Sequence, residues 1–461
     1  MTHFISTAIP YVNAAPHLGF AYELVLADIL ARHHRHRGRT ACFSTGTDDH
    51  SLKNVAAAAR EGISTRALVD RNAAAFAALG PLLELTPDAF VRTSVDPRHR
   101  AAVERLWRAC HADLYRATWS GRYCQGCEAF VDTCDEHTDP LELVEETNWF
   151  FRLSHYRDRI RAAIESGRVQ IVPDFARAET LAFLAGDVRD LSVSRDAARS
   201  HGWGIPVPDD LTQVIYVWFD ALANYLVPGD WHTWRDRTHV IGKGITRFHA
   251  VYWLAFLLAA DLPLPTKIAV HGYLTVDGKK IAKSGEGFAV DPVIERCGVD
   301  ALRWFYARQC RTRADSDVTV DAILACHDRD LADRIGNLAY RTATLARKVE
   351  ATASARRLSN ADGSSNADGS PDLDARSLPA RIDAALDVFA FDEATGAIID
   401  VVDAANRYLD KTAPWKLPPD DAREALAPVI DAIQVVASEL EPFVPQASKN
   451  VRAAVPIRRR R

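Results

Sequence analysis

FISTAIPYVNAAPHLGFAYELVLADILARHHRHRGRTACFSTGTDDH, residues 4–50, decides the fold of this chain. Its first residues predict a short strand over 4–9, and its last residues predict a second strand over 40–47. Between them, apolar residues recur at helical spacing from His17, and Gly38 follows where helices commonly end in a left-handed residue. The pattern therefore predicts a β-α-β unit, which is typical of an α/β fold.

The start of this helix suits an anionic ligand. A parallel sheet places the N-terminus of the helix at its carboxyl edge, where open α/β folds bind ligands. The unpaired N–H groups and the positive dipole end favour a phosphate, Gly19 allows close approach of the backbone, and His17 supplies a side-chain donor. An ordinary helix start that contains a histidine and a glycine fits this stretch equally well.

Composition favours a globular protein of several domains. The chain has 461 residues, of which 48% are hydrophobic and 25% charged, enough for roughly two to four domains. No segment approaches the roughly 20 consecutive apolar residues of a membrane span, and the N-terminus lacks a signal-peptide pattern, so we expect a cytoplasmic protein without membrane contact. The formal net charge of -5 decides nothing about nucleic acids, since local basic surfaces suffice for a large enzyme.

A cluster of cysteines predicts a structural metal site. Cys124, Cys127 and Cys134 lie close together, and His137 follows them. These residues form a CxxC and a CxxH pair, which together supply three thiolates and one imidazole, the ligand set of a closed tetrahedral zinc site. Such a site stabilises a fold and performs no chemistry. Unrelated free thiols are the alternative.

The α/β pattern resumes after an insertion. Residues 214–219 predict a buried strand that ends at Asp220, and residues 239–242 and 267–271 predict two further strands. A helix is predicted over 245–260. A nucleotide-binding sheet is therefore predicted to be divided, with its two halves meeting in space.

The segment DGKKIAKSG, residues 277–285, is a second candidate for binding phosphate. Lysines in a flexible, glycine-flanked loop suit transient contact with a polyphosphate whose charge grows in a transition state. A solvated basic turn is the more common origin of such a pattern.

From Gly298 onward the pattern is helical. Helices are predicted over 300–310, 321–352, 382–411 and 422–440. The sequence SNADGS occurs twice within residues 359–370, which is typical of a flexible linker. We predict this linker over residues 353–374.

Together these features resemble the methionyl-tRNA synthetase family of class I aminoacyl-tRNA synthetases over essentially the whole chain. HLGF at residues 17–20 is similar to the first signature of that class, and KIAKS at residues 280–284 is similar to its second. Either motif alone is weak. They occur, however, in the expected order, on the expected elements, and on either side of the predicted zinc knuckle.

The resemblance implies an α/β fold class, with a Rossmann-like doubly wound parallel sheet split by a zinc-knuckle insertion and followed by an α-helical bundle that binds the anticodon. The implied domains are the first half of the catalytic domain (1–109), the connective insertion (110–208), the second half of the catalytic domain with the second-signature loop (209–297), and the helical stem and anticodon-binding domain (298–461).

The resemblance also implies the site residues. The implied catalytic residues are His17, Lys280 and Lys283. The implied ATP-binding residues are His17, Gly19, Phe20, Gly242, His271, Gly272, Lys280, Lys283 and Ser284. The implied methionine-binding residues are Ile9, Tyr11, Asp48, Trp218, Ala221, Tyr225 and His249, and the implied anticodon-binding residues are Asn337, Arg341 and Trp415. One structural Zn²⁺ is implied at Cys124, Cys127, Cys134 and His137.

Several positions depart from the pattern of the family. Phe20 replaces the second histidine of the first signature and cannot donate a hydrogen bond to a phosphate. Gly244 replaces an aspartate that is expected near the ATP ribose. Ile281 and Ala282 replace the methionine and the serine of the second signature, while both lysines are kept.

The implied activity is that of a methionine–tRNA ligase, which uses ATP with Mg²⁺ to activate L-methionine as its adenylate and transfers the methionyl group to tRNA(Met). We expect a monomer, since no dimerisation domain is appended. Two alternatives remain: a paralogue that forms the adenylate for a non-translational acceptor, and a tRNA-binding paralogue with weak activity. Aminoacylation of tRNA tests the first alternative, and methionine-dependent pyrophosphate exchange tests the second.

Overall fold

The structure is a computed structural model that describes residues 2–124, 129–130, 133–134, 140–276, 278–280, 289–357 and 373–455. The chain forms two compact units. Unit 1 comprises residues 1–273 and 281–290, and unit 2 comprises residues 274–280 and 291–461. The predicted first half of the catalytic domain, the whole insertion and most of the predicted second half thus belong to unit 1, while residues 274–280 and 291–297 of the second half belong to unit 2.

Both units contain strands and helices. In chain order, the strands are β1 (Thr2–Thr7), β2 (Thr40–Thr47), β3 (Ala89–Arg92), β4 (Leu114–Cys124), β5 (Ala129–Phe130), β6 (Glu142–Phe151), β7 (Gln170–Val172), β8 (Leu191–Ser192), β9 (Ser194–Asp196), β10 (Pro206–Val207), β11 (Asp210–Ile215), β12 (Asp236–Gly242), β13 (Lys267–His271), β14 (Leu274–Val276), β15 (Lys279–Lys280) and β16 (Ser316–Asp317). The α-helices are α1 (Leu18–His36), α2 (Leu52–Glu61), α3 (Thr65–Leu82), α4 (Pro97–Ala109), α5 (Arg157–Glu165), α6 (Asp174–Ala185), α7 (Val217–Leu222), α8 (Leu254–Ala259), α9 (Val290–Cys297), α10 (Val299–Arg308), α11 (Val320–Cys326), α12 (Asn337–Arg357), α13 (Leu378–Asp387), α14 (Phe391–Thr412), α15 (Pro419–Glu439) and α16 (Pro445–Ala454). Two π-helices, Phe248–Trp253 and His327–Gly336, lead into α8 and α12.

A parallel sheet forms the centre of unit 1. Its six strands have the order β3-β2-β1-β12-β13-β7, and every neighbouring pair is parallel. The chain runs outward from β1 to β2 on one side and from β12 to β13 on the other. The order therefore reverses between β1 and β12, and the carboxyl ends of these two strands bound the crevice where such sheets bind ligands. The parallel α/β fold is confirmed.

The β-α-β prediction from the N-terminal stretch is confirmed in detail. β2 has the predicted bounds, and β1 ends at Thr7, so it begins and ends two residues earlier than predicted. Helix α1 ends before Gly38, whose φ of +70° favours glycine. Its apolar positions are buried on the sheet as the spacing requires: Leu18, Tyr22, Val25, Leu26, Ile29 and Leu30.

The predicted strand over 214–219 is wrong in its second half. β11 ends at Ile215, which pairs with Ser194, the first residue of β9, and α7 begins at Val217. Trp218 and Asp220 are therefore helical. A short, continuous apolar run carries no periodicity that separates a strand from a buried helix, which is why the sequence pattern missed this change.

The insertion and the helical unit also differ from the predicted outline. β7, which lies inside the predicted insertion, forms the edge of the parallel sheet, while β4, β5, β6 and β8 form a separate antiparallel sheet.

The helix predicted over 382–411 is two helices, α13 and α14, separated at Phe389, which has a φ of 63°.

The linker predicted over 353–374 overlaps the end of a helix. α12 continues to Arg357, and residues 358–372 lie outside the described part of the chain. Within the described residues, no helix combines the length and the apolar character needed to cross a membrane.

Candidate active site

His17 is the N-cap of α1. Its Nδ1 accepts a hydrogen bond from the Gly19 N–H at 3.1 Å, so in the neutral ring the proton lies on Nε2. A Cβ on Gly19 would lie 2.9 Å from Cε1 of His17, so a side chain at this position would displace the capping ring. The donor that His17 can present to a ligand is therefore Nε2, which refines the side-chain donor predicted from the sequence.

Phe20 packs where the family signature has a histidine. Its ring centroid lies 4.3 Å from that of His17 and 5.2 Å from that of Phe76, the second contact being edge-on. Phe20 and Phe76 also line a narrow cavity of about 40 Å³ beside Glu23 and Gly46. An apolar ring thus fills this position and supports the ring of His17.

The predicted ATP-binding residues at the ends of β12 and β13 lie together at the carboxyl edge of the sheet. His271 Nε2 is 3.0 Å from Oε2 of Glu23, and its Nδ1 is 2.7 Å from the carbonyl oxygen of Gly272. The other oxygen of Glu23 accepts from the Ala8 N–H at 3.0 Å, at the end of β1. A Cβ on Gly242 would lie 3.6 Å from the His271 ring. Glu23, which sequence reasoning missed, links α1 to both sides of the crevice.

Trp218 is the centre of a group of aromatic rings on the other side of the crevice. It stacks on Phe248 at 3.7 Å between ring centroids, with an interplanar angle of 8°. The edges of Tyr11 and His249 meet it at 6.4 Å and 6.2 Å. Trp218 and Tyr11 are each partly exposed, so the rings form an open wall rather than a closed core. The structure therefore brings these predicted methionine-binding residues together.

Tyr225 and His249 form a buried polar pair behind this wall. Nδ1 of His249 lies 3.0 Å from the Ile245 carbonyl oxygen, to which it donates, so Nε2 accepts from the Tyr225 hydroxyl at 2.8 Å. Burial lowers the pKa of His249 to about 4 and raises the pKa of Tyr225. Both groups are therefore neutral at physiological pH and present no charge to an apolar ligand.

Asp48 is held at the end of β2. Its backbone N–H donates to the Pro10 carbonyl at 2.9 Å, and it forms an isolated parallel bridge with Tyr11. Its Oδ1 accepts from the His50 N–H at 3.0 Å. Asp48 is 1% exposed, and a carboxylate in such a buried position can pair with an ammonium group. Ile9 lies between β1 and Tyr11, and Ala221 is buried in α7.

Asp220 is a fully buried carboxylate in α7 that contacts His50, which follows β2, and His99 in α4. The sequence alone gave it no role. Its Oδ2 lies 2.6 Å from Nδ1 of His50, and its Oδ1 lies 2.5 Å from Nε2 of His99. Burial opposes the charge on His50, but Asp220 outweighs that effect and raises the pKa of His50 above 6.5. The two imidazoles, His50 foremost, in turn lower the pKa of Asp220 against the effect of burial. We call His50, Asp220 and His99 the histidine clamp.

Comparison with known proteins places this site in a family. A model described as tRNA synthetases class I (M) matches residues 3–138 and 131–343. The methionine–tRNA ligases of Brucella suis biovar 1 (strain 1330) and Mycobacterium tuberculosis (strain CDC 1551 / Oshkosh) are 36% and 35% identical to this chain, over 97% of it in both cases and over 90% and 91% of their own lengths. The chain belongs to the methionine–tRNA ligases. It is thus a class I aminoacyl-tRNA synthetase, as the signatures predicted.

Solved structures agree with this assignment. Mycobacterium tuberculosis methionyl-tRNA synthetase in complex with methionyl-adenylate matches with a TM-score of 0.86 and 34% identity, over 98% of this chain and 93% of that one. The apo form of a Mycobacterium tuberculosis methionyl-tRNA synthetase matches with a TM-score of 0.79 and 32% identity, over 98% and 91%.

The predicted anticodon-binding residues of this ligase lie in unit 2. Arg341 pairs with Asp410 at 2.8 Å, and its guanidinium carbon lies 6.0 Å from the ring centroid of Trp415. Trp415 is 46% exposed, and Asn337 is exposed one turn before Arg341. Tyr340, on the same helix, is 70% exposed and was not predicted. An exposed ring beside cationic and amide groups can stack on and hydrogen-bond a base in a single-stranded loop.

The remaining predicted sites fall partly outside the described residues. Cys127, His137, Lys283 and Ser284 lie outside, and Lys280 is placed only as the end of strand β15. Within the described residues there is no group of three or more His, Cys, Asp or Glu side chains that could hold a metal. The zinc ligand set and the loop of the second signature therefore remain predictions.

Proposed function

We propose that this chain activates L-methionine with ATP, releases pyrophosphate, and transfers the methionyl group to tRNA(Met) for translation. The observation that carries this proposal is the aromatic wall of Tyr11 and Trp218 with the neutral Tyr225–His249 pair behind it. Aromatic faces and an uncharged polar pair suit a polarizable thioether. The buried carboxylate of Asp48 can hold the ammonium group of the amino acid.

Adenylate formation is an in-line displacement at the α-phosphate, so catalysis consists of positioning and charge stabilisation. His17 donates from Nε2 at the N-terminus of α1, where the helix dipole also favours phosphate. Lys280 and Lys283 are assigned to the phosphates by the second signature. Mg²⁺ would accompany ATP and help to neutralise the charge of the triphosphate. No side chain acts as a general acid or base in this scheme.

For recognition of tRNA we propose the surface around Trp415 in unit 2. Trp415 stacks on a base of the anticodon loop, while Asn337 and Arg341 hydrogen-bond base edges. The salt bridge from Arg341 to Asp410 holds the guanidinium beside the ring. In this assignment residues 298–461 form the helical stem and anticodon-binding domain, and residues 1–109 and 209–297 form the catalytic domain. We further propose that the protein acts as a cytoplasmic monomer.

We also propose one structural Zn²⁺ in the insertion, at residues 110–208. The Sγ atoms of Cys124 and Cys134 are 3.5 Å apart, close to the roughly 3.8 Å expected between two thiolates that share a tetrahedral zinc with bonds of about 2.3 Å. Cys127 and His137 complete the set. When bound, the zinc would crosslink the insertion and take no part in the reaction.

Metal analysis tests the zinc proposal. Protein purified without chelator should contain about one equivalent of zinc, and Cys124→Ala should lose it. Cys42→Ala, which changes a cysteine outside the insertion, serves as the control. Stoichiometric zinc in Cys124→Ala would place the metal elsewhere.

Two assays separate the proposed function from its alternatives. The purified chain should catalyse methionine-dependent exchange of pyrophosphate into ATP and should attach methionine to tRNA(Met). Exchange without transfer to tRNA would instead identify a paralogue that serves a non-translational acceptor. Binding of tRNA without exchange would identify a tRNA-binding paralogue.

A further inference from the structure

Gly244 and Tyr273 meet at the carboxyl edge of the parallel sheet. Gly244 follows β12, and Tyr273 follows β13. The two strands are parallel neighbours, with Gly242 paired to His271 at their ends. Since β12 borders the point where the strand order reverses, both residues lie beside the crevice that receives the nucleotide in folds of this kind.

The hydroxyl of Tyr273 occupies the space that a side chain at position 244 would need. A Cβ built on Gly244 would lie 2.1 Å from Oη of Tyr273 and 3.3 Å from its Cζ. The Tyr273 hydroxyl therefore occupies space that the side chain of an aspartate at position 244 would fill.

The ring of Tyr273 is held in this position by a neighbouring cation. Nζ of Lys243 lies 4.6 Å from the ring centroid, within the range of a cation–π contact. Tyr273 is only partly buried, so a ligand in the crevice can reach its hydroxyl. The arrangement presents a positioned O–H group, which can donate and accept, at the edge of the nucleotide crevice.

We infer that the Tyr273 hydroxyl positions the nucleotide in place of the carboxylate that Gly244 lacks, by hydrogen bonding to a hydroxyl group of the ribose. The inference rests on the proposed use of ATP. A hydroxyl carries no charge, so the exchange also removes a negative charge from the neighbourhood of the triphosphate.

The first experiment compares Tyr273→Phe with the unmodified chain in pyrophosphate exchange and in calorimetric titration with ATP. Loss of one hydrogen bond should raise KM and Kd for ATP about 3- to 10-fold, with the KM for methionine unchanged. Tyr115→Phe is the matched control, because it removes a hydroxyl that bonds to Asp190 in the insertion. ATP binding that is equally tight in Tyr273→Phe would overturn the inference, whether or not exchange is observed.

Deoxynucleotides identify the atom that is contacted. One of 2′-deoxy-ATP and 3′-deoxy-ATP should bind the unmodified chain more weakly than ATP, and Tyr273→Phe should reduce that difference by the same factor by which it weakens ATP binding. Equal losses in both proteins would show that Tyr273 does not face the ribose. Absence of exchange in a chain that still binds ATP with this discrimination would count against the proposed function alone.

A second pair of variants tests the close approach itself. Gly244→Asp should displace the Tyr273 hydroxyl, because its Cβ would collide with that atom, and should supply a carboxylate in its place. Adding Gly244→Asp to Tyr273→Phe should therefore recover most of the ATP affinity that Tyr273→Phe loses. A double variant that folds but binds ATP as weakly as Tyr273→Phe would contradict the inference.

Discussion

The two sides of the crevice differ in how closely they follow the family. On the side proposed to bind methionine, Trp218, Tyr225 and His249 are joined by ring contacts and by a hydrogen bond with a defined tautomer. On the side proposed to bind the nucleotide, Phe20 and Gly244 replace two polar residues. Aromatic residues occupy the space there: the ring of Phe20 packs on Phe76, and the hydroxyl of Tyr273 approaches Gly244.

Physical chemistry accounts for this difference. Replacing one partner of a buried polar pair is costly in free energy, because the other partner is left without a hydrogen bond in a medium of low dielectric. A phosphate site at a helix N-terminus relies largely on backbone N–H groups and on the dipole, which persist when one side chain changes. We therefore expect selection of methionine to be intact and handling of ATP to be altered.

The largest expected effect is on the methionine side. Trp218→Ala removes the ring that stacks on Phe248 and faces Tyr11, and should raise the KM for methionine by roughly 100-fold or more, which corresponds to about 3 kcal/mol. The KM for ATP should change little. Pyrophosphate exchange at varied methionine measures this effect. Trp119→Ala, which removes an exposed tryptophan from the insertion, is the control, and an equal rise in both variants would remove Trp218 from the pocket.

The next largest effect is expected at His17, the histidine of the first signature that this chain retains. His17→Ala should lower kcat for adenylate formation by roughly 100-fold, because its Nε2 acts where charge develops, while the KM for methionine stays within about twofold. Lys283→Ala should behave in the same way. His232→Ala, at an exposed histidine, should have no effect. Unchanged rates in both His17→Ala and Lys283→Ala would contradict the assignment of these side chains to the phosphates of ATP.

A smaller effect should come from restoring the first signature. Phe20→His returns a donor beside Gly19 and should raise kcat by roughly 10-fold, or about 1.4 kcal/mol, without tightening methionine binding. The same change removes the contact with Phe76, so thermal unfolding should be recorded alongside the rate. If the rate falls, Phe20 is needed to support His17, and the nucleotide side is adapted rather than weakened.

The smallest expected effect is a pH dependence from the histidine clamp. Burial lowers the pKa of His50 in the folded state, but Asp220 outweighs burial and raises it, with Asp49 adding to the rise and Arg66 opposing it. Its contribution to stability is therefore complete below the unfolded pKa of 6.5 and is lost as pH rises through the higher folded value. The difference in Tm between the unmodified chain and His50→Gln should shrink by roughly 2 °C or more from pH 6 to pH 8.5. His232→Gln should give a constant difference, and a pH-independent gap for His50→Gln would show that His50 is not charged by the clamp.

The periodicity of apolar residues was enough to predict helices and strands whose bounds are set by residues close together in the sequence. The bounds of β2 and β13 and the position of α1 follow from periodicity and from the glycine at the helix end. The boundary between β11 and α7 does not, because an apolar run of this length fits a strand and a buried helix equally well.

The histidine clamp could not be predicted from the sequence, for a different reason. His50, His99 and Asp220 are isolated in the sequence and meet only through the fold. The same holds for the approach of Tyr273 to Gly244. The methionine-binding set was predicted by resemblance to a family, and residue chemistry alone would have left Trp218 as a core aromatic. Sequence therefore gave the candidate site residues, and the three-dimensional structure was needed to find the residues that pack against them and hydrogen-bond to them.

The most direct test of an intact methionine side is pyrophosphate exchange by the unmodified chain with a panel of amino acids at saturating ATP. Methionine should give the highest kcat/KM. Leucine and homocysteine should be poorer by roughly 10- to 200-fold, the range that about 1–3 kcal/mol of side-chain contact allows. Activation of valine or isoleucine as efficient as that of methionine would contradict the account.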